Sequence, residues 1–120
     1  MSRLFVHLAT GPENPTRAAL AFLVARTALK QGHDVDLFLA GDAVDFYRDA
    51  TMDATQGIGT GSLREHFTAL SEGGARFFGS GMSSKARALD AAGLGGKAVE
   101  LTTPDRLVEL AFEADRIIGY

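Results

Sequence analysis

The sequence predicts an α/β protein with three layers, α/β/α, built on a five-stranded parallel sheet. Short, nearly continuous apolar runs alternate with longer segments of helical periodicity along the 120 residues. Parallel neighbours in a sheet cannot be joined by tight hairpins, so the intervening helices would serve as crossovers. The length fits one domain, residues 1–120, without a second independent core.

The first strand and the first helix have the clearest sequence patterns. Residues 4–9 are an almost continuous apolar run, typical of a strand buried on both faces. Asn14 and Pro15 fit a helix N-cap and the first helical position, where the missing proline N–H costs nothing. The helix is predicted to run to about Gln31. The helix is apolar over more of its circumference than packing against one sheet requires, since Leu20 and Leu23 lie outside the face that would cover the sheet. The excess apolar surface predicts a subunit contact.

The middle of the chain is less regular. Residues 34–40 form the predicted second strand, and residues 43–50 a short helix. Periodicity is then lost over residues 51–61, where glycines recur, so this stretch is predicted to be a mobile excursion. Residues 62–72 resume a helix whose first residues have the spacing of a capping box.

The last third of the chain repeats the alternation of strand and helix. A helix is predicted to follow Ser83 and to run to about Ala92, and another to start at Thr103 and Pro104. The remaining three predicted strands are residues 76–79, 98–101 and 116–119. No internal repeat or low-complexity segment interrupts this order.

Composition limits the kinds of partner. Acidic residues outnumber basic ones by 15 to 12, the formal charge is −3 and no basic block is present. Nucleic acid and membranes are therefore not expected as partners. The longest apolar stretch, residues 18–25, is too short to span a bilayer, and the N-terminus has no signal-peptide pattern. The absence of cysteine excludes disulfides and thiol chemistry, so the sequence predicts a cytoplasmic protein, and no cofactor is expected.

A ligand site is predicted at the edge of the sheet where the strands end. In parallel α/β sheets the ligand crevice lies beyond the carboxyl ends of the strands. Glycines there allow tight turns, while hydroxyls and the charge of Lys85 in a first helical turn would stabilise a small anion such as phosphate, sulfate or carboxylate. The candidate ligand-binding residues are Thr10, Gly11, Asn14, Asp42, Ser80, Gly81, Met82, Ser83, Ser84 and Lys85.

Simpler structural roles compete with ligand binding at this edge. Ser83 fits a helix cap with Lys85 solvated, and Asn14 and Asp42 are equally good caps. Ser80, Ser83 and Asp42 are also the candidate catalytic residues, because a carboxylate could orient or deprotonate a hydroxyl.

The three histidines do not add a base or a metal site. His7 is predicted to be a hydrogen-bonded core residue, His33 to lie in a turn and His66 to lie on the outside of a helix. No histidine falls at a strand end, which weakens a Ser-His-Asp arrangement. No two histidines share the spacing of metal ligands, so no metal site is predicted.

Three stretches resemble a known family, and the resemblance covers essentially the whole chain. They are residues 10–18, residues 32–44 with the run Leu-Ala-Gly-Asp-Ala-Val, and residues 80–87 with the run Ser-Lys-Ala-Arg. In this order and spacing they resemble the DsrE-like family of small α/β proteins. The resemblance implies a three-layer domain of flavodoxin-like architecture that assembles into trimers or hexamers. It also implies sulfur-relay activity in some members, where a cysteine after the third strand carries a persulfide.

The sequence departs from the family pattern at the sulfur carrier. Ser80 and Ser83 occupy the two places where relatives carry cysteine, and Ala88 stands where a glycine is usual after the arginine. A hydroxyl cannot carry a persulfide and is a weaker nucleophile than a thiolate. Sulfur transfer is therefore not expected of this chain.

Three hypotheses follow for the function. The first is a homo-oligomeric module, either a trimer, a hexamer or a dimer, that binds a small anionic ligand or a protein partner at the strand-end crevice. The second is a serine/aspartate-dependent hydrolase or transferase. The third is a non-catalytic subunit of a sulfur-relay complex whose cysteine belongs to another chain.

Overall fold

The computed structural model describes residues 2–120 and contains seven strands, five of which form one parallel sheet. In chain order the strands are β1 (Arg3–Leu8), β2 (Asp34–Leu39), β3 (Gln56–Gly57), β4 (Gly61–Ser62), β5 (Arg76–Ser80), β6 (Val99–Thr102) and β7 (Arg116–Gly119). The order across the sheet is β6-β5-β2-β1-β7, and every pair is parallel. β3 and β4 form a separate antiparallel pair. The predicted five-stranded parallel sheet is confirmed.

Helices connect the strands of the sheet. They are α1 (Pro15–Lys30), a 3₁₀ helix (Gly41–Tyr47), α2 (Asp49–Ala54), α3 (Leu63–Glu72), α4 (Gly81–Ala86) and α5 (Pro104–Glu113). The predicted cap of α1 is confirmed, since Asn14 Oδ1 accepts a hydrogen bond from the Arg17 N–H at 3.0 Å. The start of α3 is capped by Ser62, whose Oγ accepts from the Glu65 N–H at 3.2 Å.

The two faces of the sheet are covered unequally. One face packs against α1, the 3₁₀ helix and α3 in a large core that includes Phe22, Tyr47 and Leu70. Phe5, Phe38 and Phe78 point to the other face, where they form a smaller core with residues of α5. The side chains that cover them are Leu107, Leu110 and Ala111 of α5 and Ala114 directly after it. Helices therefore lie on both faces, as predicted, but a single helix makes up the outer layer on the second face.

The stretch predicted as a mobile excursion is regular structure instead. Residues 49–54 form α2, and the β3–β4 hairpin folds back onto the start of α1. There the Ile58 N–H donates to Thr16 Oγ1 at 3.0 Å, and Thr60 Oγ1 donates to the Thr16 carbonyl at 3.1 Å. The prediction was wrong because these bonds join residues more than 40 positions apart, which local periodicity cannot show.

The same hairpin changes the position expected for His66. His66 is buried rather than on the outside of α3. Its Nε2 lies 2.8 Å from the Thr60 carbonyl oxygen, and its Nδ1 lies 3.3 Å from Arg26 Nη1. Because a guanidinium can only donate, Nδ1 accepts and Nε2 carries the proton that is donated to Thr60. His66 therefore connects α3 to both the hairpin and α1.

Two predicted helices have different bounds in the structure. The segment predicted as a helix over residues 43–50 is a 3₁₀ helix that begins at Gly41 and ends at Tyr47. α4 begins at Gly81 and ends at Ala86, six residues before the predicted end. The chain turns away there because Ala88 adopts a φ of 54°, which cannot continue an α-helix. No helix of residues 2–120 is long and apolar enough to cross a membrane.

Candidate functional site

Ser80 is the residue that starts α4. Its Oγ accepts a hydrogen bond from the Ser83 N–H at 3.1 Å, which satisfies one of the amide groups left free at a helix start. The sequence offered two serines for this role, and the expectation that Ser83 is the cap is wrong. Ser80 is thus both the last residue of β5 and the N-cap of α4.

Ser83 connects α4 to the neighbouring strand end. Its Oγ accepts a hydrogen bond from the Gly41 N–H at 2.9 Å, directly after β2. Two of the predicted segments, Gly41–Asp42 and the serine segment, are therefore in direct contact. Serine is suited to this position because its short side chain ends in an oxygen that can accept from a backbone amide.

Arg87 completes the contact between the two segments. Its Nη2 donates to Asp42 Oδ1 at 2.6 Å, and its Nη1 donates to the Ser83 carbonyl at 3.1 Å. Asp42 therefore pairs with an arginine and is not the N-cap that the sequence suggested, since Ala40 occupies that position without a side-chain bond. Arg87 was missed as a site residue because its acidic partner is 45 positions away in sequence.

The loop after β1 lies against the same group of residues. A Cβ built on Gly11 would lie only 2.5 Å from Asp42 Cβ, so glycine is required for this close approach. Gly81 is also close to β6, because a Cβ built on it would lie 3.1 Å from the Thr102 carbonyl oxygen. Thr10 precedes Gly11 and is half-buried.

Asn14 does not join this group. Its side chain caps α1, and it lines a separate cavity of about 580 Å³ between the start of α1 and the end of β7. The other lining residues are Thr16, Arg17, Leu20, Gly119 and Tyr120. The predicted ligand-binding residues therefore divide between two places on one edge of the sheet.

The remaining residues of α4 differ in exposure. Met82 is 69% exposed, whereas Ser84 is fully buried and its Oγ has no hydrogen-bond partner. Lys85 is exposed and forms no ion pair with any carboxylate of residues 2–120. It lies in the last turn of α4, so the expectation that it adds its charge to a first helical turn is wrong. It shares a helix face with Gly81 and Met82 instead.

Ser80 and Ser83 are half-exposed, and the proton of each hydroxyl is available for donation. Ser80 Oγ and Ser83 Oγ each accept from a backbone N–H, as described above. A hydroxyl that accepts a hydrogen bond keeps its own proton for a further acceptor. The edge thus combines two O–H donors with the uncompensated charge of Lys85, which is the chemistry that an anion requires.

Catalytic use of these serines would need a base. Asp42 is held by Arg87, and among the histidines only His7 lies on a strand of the main sheet. His7 sits within β1, where its ring stacks on Phe5 with 6.3 Å between centroids. Its Nε2 is buried without a partner, so the expected hydrogen bond is not formed, and burial lowers the pKa of the ring. No group of three or more His, Cys, Asp or Glu side chains within residues 2–120 could hold a metal ion.

Comparisons with known proteins agree with this architecture. The family model described as the DsrE/DsrF-like family matches residues 2–120. Among solved structures, the ychN protein of E. coli is similar with a TM-score of 0.82 at 16% identity, and each chain covers 100% of the other. A conserved protein of unknown function from Bacteroides thetaiotaomicron, BT1422, has a TM-score of 0.73 at 11% identity, over 99% of this chain and 95% of its own. No curated protein matches the chain significantly. At these identities the likeness to solved structures concerns the fold alone.

Proposed function

The chain belongs to the DsrE/DsrF-like family, and from that premise we propose that it is a non-catalytic, homo-oligomeric binding module. Its ligand is a small anion held at the edge formed by Ser80, Ser83 and Lys85. These 120 residues contain no cysteine, so the chain has no thiol on which a persulfide could form. Binding is therefore the function that the edge of the sheet supports best.

The observation that carries the proposal is the hydrogen bonding of the two hydroxyls. Ser80 Oγ and Ser83 Oγ each accept one hydrogen bond, from the N–H groups of Ser83 and Gly41 respectively, and neither hydroxyl donates to a protein acceptor. Their free protons suit an acceptor ligand, and a carboxylate, phosphate or sulfate presents only acceptors when it is fully ionised.

The charges of the edge support the same class of ligand. Asp42 neutralises Arg87, so this pair adds no net charge, and Lys85 remains as a cation without a carboxylate partner. Lys85 lies two positions after Ser83 and therefore projects from a different side of α4, so its ammonium would reach an anion at the serines through its long, flexible stem. The exposed Met82 on the same helix face would contact any apolar part of the ligand.

The test is the thermal stability of the protein with inorganic phosphate, sulfate and acetate at constant ionic strength. At a ligand concentration ten times Kd, binding to the folded state alone adds about 1.4 kcal/mol to the free energy of unfolding. This corresponds to a rise of several degrees in Tm for a chain of this length. Lys85→Ala should lose most of this rise.

Arg116→Ala is the matched control. Arg116 is also an exposed cation without a carboxylate partner. It lies at the start of β7, however, at the amino ends of the strands and away from the candidate site. This variant should keep the full anion-dependent rise in Tm. The proposal fails if none of the three anions stabilises the wild type, or if Lys85→Ala and Arg116→Ala respond alike.

A further inference from the structure

β7 is an edge strand whose outer side pairs with no other strand of residues 2–120. β1 is its single neighbour, and β6 forms the opposite edge of the sheet. Tyr120, directly after β7, donates its N–H to the His7 carbonyl at 2.8 Å and accepts from the Ala9 N–H at 2.9 Å. Successive residues of a strand direct their backbone groups to alternate sides. Gly119 and Ile117, one and three positions before Tyr120, therefore direct two N–H groups and two carbonyl groups away from β1.

The outer side of β7 is exposed and lacks the features that protect sheet edges. Ile117 is 55% exposed, and Gly119 is exposed as well. Free backbone groups at an edge pair readily with other chains, so natural edges carry charged residues, prolines or bulges. β6 carries Glu100, whereas the last three residues of β7 have no charge, no proline and no bulge. The edge formed by β7 is therefore the better template for an added strand.

Two cavities lie along β7 on the side of α1, one at each end of the strand. The first, of about 670 Å³, is lined by Arg116 and Ile118 of β7 and by Ala28 of α1, among others. The second is the cavity of about 580 Å³ that Arg17 and Gly119 line. An added strand directs every second side chain to this side, so side chains four positions apart would enter the two cavities.

Each cavity contains an exposed cation without a carboxylate partner. Arg116 is exposed in the first and Arg17 in the second, and neither forms an ion pair with a carboxylate of residues 2–120. The carboxylate of Asp115 is next to Arg116 in sequence, but its Oδ2 accepts from the Arg3 N–H at 2.7 Å. An added strand with acidic side chains four positions apart would place one carboxylate beside each of the two exposed arginines.

A second copy of the chain does not suit this edge. Two β7 strands paired antiparallel about a two-fold axis would bring α1 next to α1 and α5 next to α5. α1 carries three cations and no acidic residue, and α5 carries three acidic residues against one cation. Both contacts would set like charges against each other, which disfavours this pairing.

We propose that the outer side of β7 binds an extended, acidic segment of another protein, which adds a sixth strand to the main sheet. In an antiparallel arrangement, one residue of the segment exchanges two hydrogen bonds with Ile117, and a second exchanges two with Gly119. Its acidic side chains enter the cavities of Arg116 and Arg17. An apolar side chain midway between them lies beside Ile118. This surface is separate from the anion site of the proposed function.

The probe is the peptide Glu-Thr-Val-Val-Glu with both ends blocked, and the control peptide has lysine in place of both glutamates. The readout is the rate at which backbone amide protons exchange with solvent, measured residue by residue by NMR. In the free protein the amides of Ile117 and Gly119 should exchange rapidly. A saturating concentration of the acidic peptide should slow both about tenfold or more, whereas the lysine peptide should leave them unchanged.

Ile117→Pro tests the backbone contact. Proline is tolerated on an edge strand where the sheet does not use the N–H, so the variant should fold. It should weaken binding of the acidic peptide about tenfold or more, because it lacks one donor and its ring obstructs the edge. Ile117→Val is the matched control, since it keeps the N–H, and it should bind like the wild type. An unchanged anion-dependent rise in Tm checks that the proline variant is folded.

Charge reversal tests the acidic character of the partner. Arg17→Glu and Arg116→Glu together should reverse the preference, so that the lysine peptide protects the two amides and the glutamate peptide does not. This result does not depend on the proline variant. Lys85→Ala should bind the acidic peptide like the wild type, which separates the edge of β7 from the anion site.

Three results would overturn the inference. They are exchange rates of Ile117 and Gly119 that the acidic peptide leaves unchanged, equal protection by the two peptides, and protection in the free protein that disappears on dilution. The last result would show that a second copy of the chain occupies the edge. Each of them leaves the anion site intact, because the response to phosphate, sulfate and acetate is measured separately.

Discussion

Asp36 is completely buried in β2 and accepts two hydrogen bonds from Arg76, at 2.7 Å to Oδ1 and 2.8 Å to Oδ2. Arg3 donates to the same carboxylate at 2.9 Å. Both arginines remain partly in solvent, whereas the carboxylate does not. The buried charge of Asp36 is therefore balanced by two partly exposed arginines at the amino ends of the strands.

Asp36→Asn should destabilise the protein by about 2 kcal/mol, because the NH2 group that replaces one carboxylate oxygen cannot accept the hydrogen bond that Arg76 Nη2 donates to Oδ2. The substitution also removes the negative charge between the two guanidinium groups, and hydrogen bonds to charged groups are worth about 1.5–3 kcal/mol. The measurement is the urea midpoint at neutral pH. Asp34→Asn is the matched control, since Asp34 is about half exposed and lies 3.6 Å from Arg3. A loss of stability in the control as large as that in Asp36→Asn would contradict the prediction.

Gly11→Ala should destabilise the protein by about 1–3 kcal/mol, the usual range for overpacking. The new methyl group would lie 2.5 Å from Asp42 Cβ and 2.8 Å from the Asp42 carbonyl group, so backbone must move. We also expect weaker anion binding, because the displaced Asp42 holds Arg87 against Ser83. Gly119→Ala is the control, with its nearest atom at 3.8 Å; equal Tm values for the two variants would refute the expected clash.

Ala88→Gly should stabilise the protein by about 0.5–1 kcal/mol. Ala88 has a φ of 54°, and the left-handed region costs a residue with a Cβ about 1–2 kcal/mol. Part of this gain is offset by the greater freedom of glycine in the unfolded chain. Ala86→Gly, in the last position of α4, is the control and should lose stability. A decrease in Tm for Ala88→Gly would contradict the strain inferred from φ.

The stability of the protein should fall as pH decreases below about 6.5, through the titration of His7. Burial lowers the pKa of His7 below its ordinary value of 6.5. The unfolded chain therefore takes up the proton first, and protonation favours unfolding between the unfolded and folded pKa values. His7→Phe removes this titration and keeps a ring against Phe5. Its free energy of unfolding should change less than that of the wild type between pH 7.5 and pH 5.

His33→Gln is the control for this pH dependence, because His33 lies in the turn before β2 and outside the stacked rings. Unfolding curves in urea at the two pH values provide the comparison. The role of His7 would be refuted if His33→Gln reduced the pH dependence as much as His7→Phe did.

Lys97→Met should raise the pKa of Asp49. The hydrogen bond from Lys97 is the main cause that lowers the pKa of Asp49 from 3.8 to about 2, and the bond from Arg64 is the second. The stabilising contribution of this carboxylate is present above its unfolded pKa and is lost as pH falls toward 2. Carboxyl titration by NMR measures the change. Arg64→Met should raise the pKa less than Lys97→Met does, and the opposite order would contradict the assignment.

Local sequence predicted the main sheet well because each strand is a short apolar run between turn residues. Residues 116–119 were predicted with the bounds that β7 has, and the cap at Asn14 was found where a polar side chain precedes a proline. Each of these signals is carried by residues that lie within a few positions of one another. They depend on backbone propensity and burial, which the sequence shows directly.

The contacts that build the candidate site could not be predicted in this way. Gly41 and Ser83 are 42 positions apart, and Arg87 and Asp42 are 45 positions apart. The strand order places β2 beside β5 and so creates both contacts, but crossover rules do not determine that order. Ala88 illustrates the opposite case. The sequence showed an alanine where a glycine is usual, and the backbone there has the φ that favours glycine.

The pairing of β1 with β7 has a consequence for synthesis on the ribosome. The Arg3 N–H donates to Asp115 Oδ2, and these residues are separated by 112 positions. At about 5–20 residues per second, β1 is exposed as a temporary sheet edge for roughly 5–20 s before β7 emerges. Phe5, Phe38 and Phe78 lack their covering helix for most of the same interval. Chaperone capture of nascent chains should therefore depend on this face, and a chain truncated before α5 should aggregate.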